Sequence, residues 1–215
     1  MTEDTRCRIV HAAGPIFAKK GFTAATVRDI CAAAGANQAA VNYHFGDKDA
    51  LYLEVVRLAH TLRLKQVPFA AWSPDTPPAE KLRRFIRATL TRMLETDGRQ
   101  WPTQLMLREM LHPTIACQAL VEDFVRPQLD QLLGILDDFL PAATPMPRRH
   151  QVAFSIIGQC VHYRVAGKVV ELLIPAGELE SAFSTERLTE HISQFSLAAL
   201  TAWNRCPPVP WSETP

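Results

Sequence analysis

The 215-residue chain lacks the features that mark membrane, secreted or metal-binding proteins. No apolar run approaches the roughly 18 residues that a membrane span needs, and the opening MTEDTRCRIV has no long apolar stretch of the signal-peptide kind. A cytoplasmic protein with no membrane partner is expected. The five cysteines, Cys7, Cys31, Cys117, Cys160 and Cys206, are odd in number, scattered and without a C-x-x-C pair, and are read as reduced, mostly structural thiols. A Gly-rich phosphate loop, a nucleophile elbow and a His-Glu-x-x-His metal pattern are all absent. Cys160 and His162, two residues apart on a helix, point about 200° from each other and are poorly placed to share a metal. No enzyme, cofactor or metal site is expected. There is no internal repeat or low-complexity tract, and no run of alternating β-branched residues to signal a strand.

A large charge of either sign is missing too, since the net charge is +1, but the balance is uneven. Residues 1–66 carry nine Lys and Arg against six Asp and Glu, while the remainder carries fourteen against sixteen. A mildly basic N-terminal segment is compatible with nucleic acid and does not by itself require it.

What the chain does have is helical periodicity in nearly every segment, and enough apolar residues, 47%, to build a core without disulfide or metal. The expected fold is all-α. Ile9, Ala13, Ile16 and Phe17 form one helical stripe, closed by Gly21. Thr26 caps the short helix VRDICAAA, which Gly35 ends; Asn37 caps a third helix through His44; Asp47 caps a fourth from Lys48 to about Gln66, with Leu51, Val55 and Leu58 inward. Pro68, Pro74, Pro77 and Pro78 exclude a helix from 67–78 and set the expected boundary. The expected domains are thus 1–66 and 67–205, followed by a loose tail, 206–215. Further helices are expected at 79–96, 102–111, 115–140, 148–174 and 185–205, with breaks at DGRQWP, HPT, PAATPMP and PAGELE.

Two short helices joined by Gly35 and Ala36 suit a helix-turn-helix, about 26–45, whose second helix enters the DNA major groove. Gln38, in its first turn, can offer adenine a bidentate amide, and Ala39 and Ala40 allow close approach and contact with a thymine methyl. Asn42 is a second amide. Tyr43 and His44 can donate to phosphate oxygens, and Lys48 adds its charge to the open N–H groups of the next helix start. Thr26 and Arg28 can reach the opposite strand in the same way. The same residues also fit an α-hairpin in which Tyr43 and Phe45 are core aromatics and Lys48 is merely solvated.

The segment IVHAAGPIFAKKGFTAATVRDICAAAGANQAAVNYHFGDKDALYLEVV, from about Ile9 to Val56, resembles the DNA-binding domain of the TetR/AcrR family of bacterial regulators. The likeness runs through the turn from Phe17 to Gly21, Thr26 to Arg28, Ala34-Gly35, Tyr43 to Phe45, and Lys48. It implies a homodimeric, all-helical transcription factor, usually a repressor, with an N-terminal three-helix DNA-binding domain and a C-terminal helical domain for ligand binding and dimerisation. It also implies phosphate contacts at Thr26, Tyr43, His44 and Lys48, and positions toward the bases for Arg28, Gln38, Ala39 and Asn42. Asn37, the cap of the second helix, completes the DNA-facing set. Asn42 departs from the pattern, because many members carry an aromatic residue there.

LMLREMLHPT, LVEDFVRPQLDQLL and SIIGQCVHYRVA resemble the C-terminal domain of the CecR-like subfamily, over roughly 80–205. The helix expected at 148–174 is apolar almost all round and must be covered on two faces. With the stripe along 185–205 it suits a four-helix dimer interface of Phe154, Val161, Ile192, Phe195, Ala199 and Trp203; a larger monomeric core is the alternative. Trp101, Met106, Arg108, Glu109, His112, Gln159, His162 and Tyr163 are polar, aromatic or pliable groups within apolar helices. They could orient a small, largely apolar effector, or simply pair and pack within the core. The expected function is sequence-specific DNA-binding transcriptional regulation through double-stranded operator DNA of near-palindromic form, with repression relieved by an effector. A helical adaptor without DNA binding is the alternative.

Overall fold

The computed structural model describes residues 2–95, 98 and 100–205. The expected loose tail, with Cys206, lies outside the described residues, as does part of the break expected at DGRQWP. The helices in chain order are α1 (Thr2–Ala24), α2 (Val27–Ala34), α3 (Gln38–Phe45), α4 (Lys48–Gln66), α5 (Pro78–Leu94), α6 (Trp101–Leu111) and α7 (Cys117–Leu120), then a π-helical turn (Val121–Val125) and α8 (Arg126–Leu136). There follow α9 (Met146–Val165), α10 (Gly167–Leu173), α11 (Ala176–Ala182) and α12 (Thr185–Arg205). The described residues contain no strand. None of their helices is long and apolar enough to cross a membrane.

The chain forms two compact units that do not follow sequence order. One comprises Met1–Pro68 with Thr96–Pro127, the other Phe69–Glu95 with Gln128–Pro215. Helices α6 and α7, although they lie beyond the proline-rich segment, therefore pack with α1 to α4.

In the first unit Ile9, Ala13 and Phe17 of α1 are buried with Ile30 of α2, Val41 of α3, Leu51, Tyr52, Val55 and Val56 of α4, and Leu105 of α6. Tyr52 is the centre of this core. Its ring meets the edge of Phe17 at 4.8 Å and lies 4.9 Å from Phe22. Its hydroxyl donates to Glu109 Oε2 at 2.7 Å. Burial, and then Glu109, hold the Tyr52 phenol above its ordinary range, so that it remains a donor. Trp101 explains a glycine. A methyl on Gly14 would come within 2.7 Å of the Trp101 ring, so the bare backbone of α1 is what lets α6 approach. Gly21 (φ 78°, ψ 171°) leaves the helical conformation and closes the first stretch of α1, as expected, before a short second stretch to Ala24.

The second unit packs Leu82, Phe85, Ile86 and Leu90 of α5 against Leu132, Ile135 and Leu136 of α8, Ala153, Ile156 and Cys160 of α9, and Leu188, Ile192 and Leu200 of α12. Burial pushes the Cys160 thiol up to about 12, so it stays a protonated, apolar filler. Gln128 donates to the Thr89 hydroxyl at 3.0 Å, which satisfies two buried polar groups at once.

Three helix boundaries depart from the expected ones. The helix expected at 115–140 contains a π turn, because Pro127 has no N–H to donate and Arg126 instead donates five residues back to Val121. The helix expected at 148–174 ends at Val165, where Ala166 takes up φ −93°, ψ 8° ahead of the weak helix former Gly167. PAGELE, expected as a break, is the start of α11, since the fixed φ of Pro175 suits a helix entry.

The Gly14→Ala variant tests the close approach of α6. The gain in helix propensity, about 1 kcal/mol at most, is smaller than the roughly 1–3 kcal/mol that overpacking a tight contact costs. A lower urea midpoint is expected; an unchanged or raised midpoint would show that Trp101 yields freely.

Candidate nucleic-acid interface

Local capping sets the turn between α2 and α3. Thr26 and Asp29 form a reciprocal capping box: the Asp29 N–H donates to Thr26 Oγ1 at 3.1 Å and the Thr26 N–H to the Asp29 carboxylate at 3.4 Å. Lys20, hydrogen-bonded to Asp29 at 2.8 Å, and next the Thr26 hydroxyl hold the Asp29 carboxyl below the usual carboxylate range. Gly35 (φ 59°, ψ 38°) ends α2 in the left-handed conformation, with its N–H on the Cys31 carbonyl. Two residues later Asn37 Oδ1 accepts from the Ala40 N–H at 2.8 Å and starts α3. Gly46 (φ 83°) then turns the chain into Asp47, whose Oδ1 caps α4 through the Ala50 N–H at 2.8 Å.

An eight-residue helix held by its caps and by one fully buried residue, Val41, leaves the rest of its surface open. At 3.6 residues per turn, Gln38, Asn42, Ala39 and Tyr43 span an arc of about 140°. All four are exposed, and the Tyr43 ring is 78% accessible. Ala40, Val41, His44 and Phe45 occupy the opposite arc and are half-buried or buried. The α-hairpin alternative required a buried Tyr43, which the structure does not have. The Tyr43 ring meets His44 in a T-shaped contact, at 5.1 Å between centroids. Phe45 is covered by the Arg6 guanidinium at 5.5 Å.

Thr26, Arg28 and Asn37 are exposed at the helix starts, beside this arc in sequence. Lys48 is half-buried. Its Nζ lies 4.6 Å over the Phe22 ring and donates to the Thr23 carbonyl at 3.4 Å, so the ammonium is held at the first turn of α4 instead of waving in solvent. Arg6, Phe22 and Glu109 support this surface and were not singled out for it. Their partners lie many residues away, and no local spacing signals them.

The residues expected to line an effector pocket are distributed over both units. Trp101, Met106, Arg108 and His112 belong to the first unit, Gln159, His162 and Tyr163 to the second. Trp101 packs on Gly14, Met106 is buried, Arg108 donates to the Lys20 carbonyl at 3.4 Å, and His112 is exposed at the end of α6. Gln159, His162 and Tyr163 line a groove between α9 and α12 with Ser155, Gly158, His191 and Ile192. Of the residues assigned to a dimer interface, Phe154 and Phe195 are 57% and 61% accessible, and Ala199 is exposed. Val161 and Trp203 are half-buried. Ile192 is buried in the core of its own unit, where it packs among Leu188, Ile156 and Leu200.

Residues 9–55 match the family described as bacterial regulatory proteins, tetR family, and residues 78–200 match the C-terminal domain of the HTH-type transcriptional dual regulator CecR. The chain is 26% identical to the dual regulator CecR of Shigella flexneri over 202 residues, which cover 89% of this chain and 87% of the relative. Its fold is similar to that of a tetR-family regulatory protein from Rhodococcus RHA1, with a TM-score of 0.63 at 19% identity, covering 91% of this chain and 96% of that one. It is also similar to AibR, solved in complex with isovaleryl coenzyme A and operator DNA, with a TM-score of 0.61 at 18% identity, covering 89% and 97% of the two chains. The cap geometry, the exposed arc of α3 and both domain matches agree: the chain belongs to the TetR family of bacterial transcriptional regulators, with a DNA-binding helix-turn-helix at its N-terminal end and a C-terminal domain of the CecR type.

Proposed function

We propose that the protein is a cytoplasmic, effector-responsive repressor that binds a near-palindromic operator as a homodimer. The observation that carries the DNA-reading part is the arc of Gln38, Asn42, Ala39 and Tyr43, open along one side of a helix whose other side is packed. Such an arc fits a major groove about 12 Å wide, with Gln38 and Asn42 toward base edges and the small Ala39 permitting close approach. Thr26, Tyr43, His44 and Lys48 are assigned to phosphate. The Thr26 hydroxyl accepts within its capping box at the exposed start of α2, where a phosphate oxygen can approach. Arg28 faces the bases from the start of α2, and Asn37 serves chiefly as the cap that orients α3.

The dimer is assigned to the faces of α9 and α12 that carry Phe154, Phe195 and Ala199, with Val161 and Trp203 at their flanks. These exposed apolar groups need covering, and a second copy supplies an isologous, self-complementary face. Ile192 supports that face from behind. The domain assignment follows: 1–66 binds DNA and 67–205 binds the effector and dimerises, although 96–127 packs with the N-terminal helices. The effector is proposed to be small and largely apolar. AibR, whose complex holds both a ligand and operator DNA, supports a ligand-responsive reading. The two recognition helices of a dimer must enter successive major grooves roughly 34 Å apart, so an effector that changes their separation by a few ångströms prevents joint docking. By linkage, a coupling of about 1–3 kcal/mol weakens operator binding 5- to 150-fold, and operator weakens effector binding by the same factor.

Tyr43→Phe and Lys48→Ala are expected to weaken binding to all DNA sequences alike and to make the salt dependence shallower. Gln38→Ala is expected to relax discrimination by about 1–3 kcal/mol at one base position per half-site. Binding to a panel of single-position operator variants decides this; an unchanged preference at every position contradicts the assignment of Gln38. The absence of salt-dependent DNA binding would instead favour a helical adaptor.

Phe195→Arg places an unpaired charge in the proposed dimer face and is expected to give monomers in sedimentation velocity. A variant that sediments like the parent moves the interface elsewhere.

A further inference from the structure

Among the described residues Glu109 is the one acidic side chain that is fully buried, at 0% accessibility. A carboxylate in that position persists only where donors surround it. Glu109 has them: the Tyr52 hydroxyl at 2.7 Å, the Thr114 N–H at 2.7 Å and the Thr114 hydroxyl at 2.9 Å. Nothing in the DNA-facing surface needs a buried carboxylate directly, and α6 contributes no residue to that surface. The question is what Glu109 holds in place.

The answer lies along a continuous set of contacts inside the first unit. Tyr52 and Lys48 are four residues apart on α4 and so project from one side of that helix. The Tyr52 ring lies 4.9 Å from Phe22, and the Phe22 ring carries Lys48 Nζ at 4.6 Å. We propose that Glu109 is a positioning residue for the phosphate-facing Lys48, acting through Tyr52 and Phe22; the inference rests on the assignment of Lys48 to phosphate given above.

The physical basis is the asymmetry between the ends of this set. Phe22 offers Lys48 a cation–π seat and Thr23 a carbonyl at 3.4 Å, both weak restraints for a four-carbon side chain. The seat is only as well placed as the Phe22 ring, which is half-buried and leans on Tyr52. Tyr52 in turn is fixed at its ring by Phe17 and at its hydroxyl by Glu109. Loss of the hydroxyl anchor leaves the Tyr52 ring free to slide along Phe17, which widens the slot that holds Phe22. Lys48 then spends less time where a phosphate oxygen meets the open N–H groups of α4, and an ordering cost is added to binding.

The test uses the full-length protein, mixed-sequence duplex DNA and fluorescence anisotropy over a salt series, with thermal midpoints recorded in parallel. The variants are Lys48→Ala, Glu109→Gln, Tyr52→Phe, and the doubles Lys48→Ala/Glu109→Gln and Lys48→Ala/Tyr52→Phe. The Gln variant keeps the shape of Glu109 but presents a donor where an acceptor is needed, and the Phe variant retains an aromatic ring and removes only the hydroxyl that anchors it. Glu109→Gln and Tyr52→Phe are each expected to weaken binding roughly 3- to 10-fold. Both should make the salt slope shallower in the same sense as Lys48→Ala, and neither should weaken binding further once Lys48 is alanine. A merely structural role would lower the thermal midpoint without moving the salt slope. The inference is overturned if the folded single variants bind with the parent's affinity and slope, or if they lose the same factor with Lys48 already removed. A Lys48→Ala protein that binds like the parent overturns the phosphate assignment itself, and the single variant shows this on its own. Should Glu109→Gln not fold, Tyr52→Phe decides the matter.

Discussion

The DNA-facing surface of this protein depends on the burial of Tyr52. Its ring joins α1 to α4 through Phe17, and its hydroxyl joins α4 to α6 through Glu109. Burying an aromatic ring of this size stabilises by about 1.5–3 kcal/mol, and edge-to-face contacts add about 0.5–1.5 kcal/mol. The surface ion pairs described in the same unit, Arg6 with Glu54, Lys20 with Asp29 and Arg57 with Asp123, join largely exposed groups and are worth at most about 1 kcal/mol each. Apolar contact around one tyrosine, not surface charge, therefore holds the frame from which α2 and α3 project.

Given that frame, α3 is specified by very little. Eight residues are too few for a stable isolated helix. Asn37 at one end, Gly46 at the other and Val41 beneath supply the rest. Because only one residue of α3 is fully buried, the exposed arc is free to carry amides, a methyl and a phenol. The second unit makes a similar division. Along α9, Ala153, Ile156 and Cys160 face the core of the unit, and Phe154 is left outside.

Much of this was legible in the sequence where the signals are local. Thr26, Asn37 and Asp47 announce the starts of α2, α3 and α4, Gly35 ends α2 as expected, and the prolines of 67–78 exclude a helix. The open side of α3 could be deduced because small and polar residues recur on one arc. What was not legible depends on contacts distant in the chain. That Trp101 answers Gly14, and that Glu109 answers Tyr52, requires α6 to return to the N-terminal helices across an intervening helix, α5. For that reason the sequence alone does not reveal these contacts of Trp101 and Glu109. Ile192 fell on an apolar stripe shared by core and surface, and periodicity alone does not separate the two sides of a helix that is apolar on both. The break at Ala166 and the π turn before Pro127 are single-residue effects within otherwise helical patterns.

We propose above all that the exposed arc of α3 reads bases in the major groove of a two-fold site. Selection of bound sequences from a random duplex pool, followed by methylation interference at guanine N7 and adenine N3 in the winners, tests it directly, because the first atom lies in the major groove and the second in the minor groove. An inverted repeat is expected, with guanine N7 interference positions in two patches about one helical turn apart. Failure to enrich any sequence over the starting pool, or interference confined to the minor groove, would contradict it.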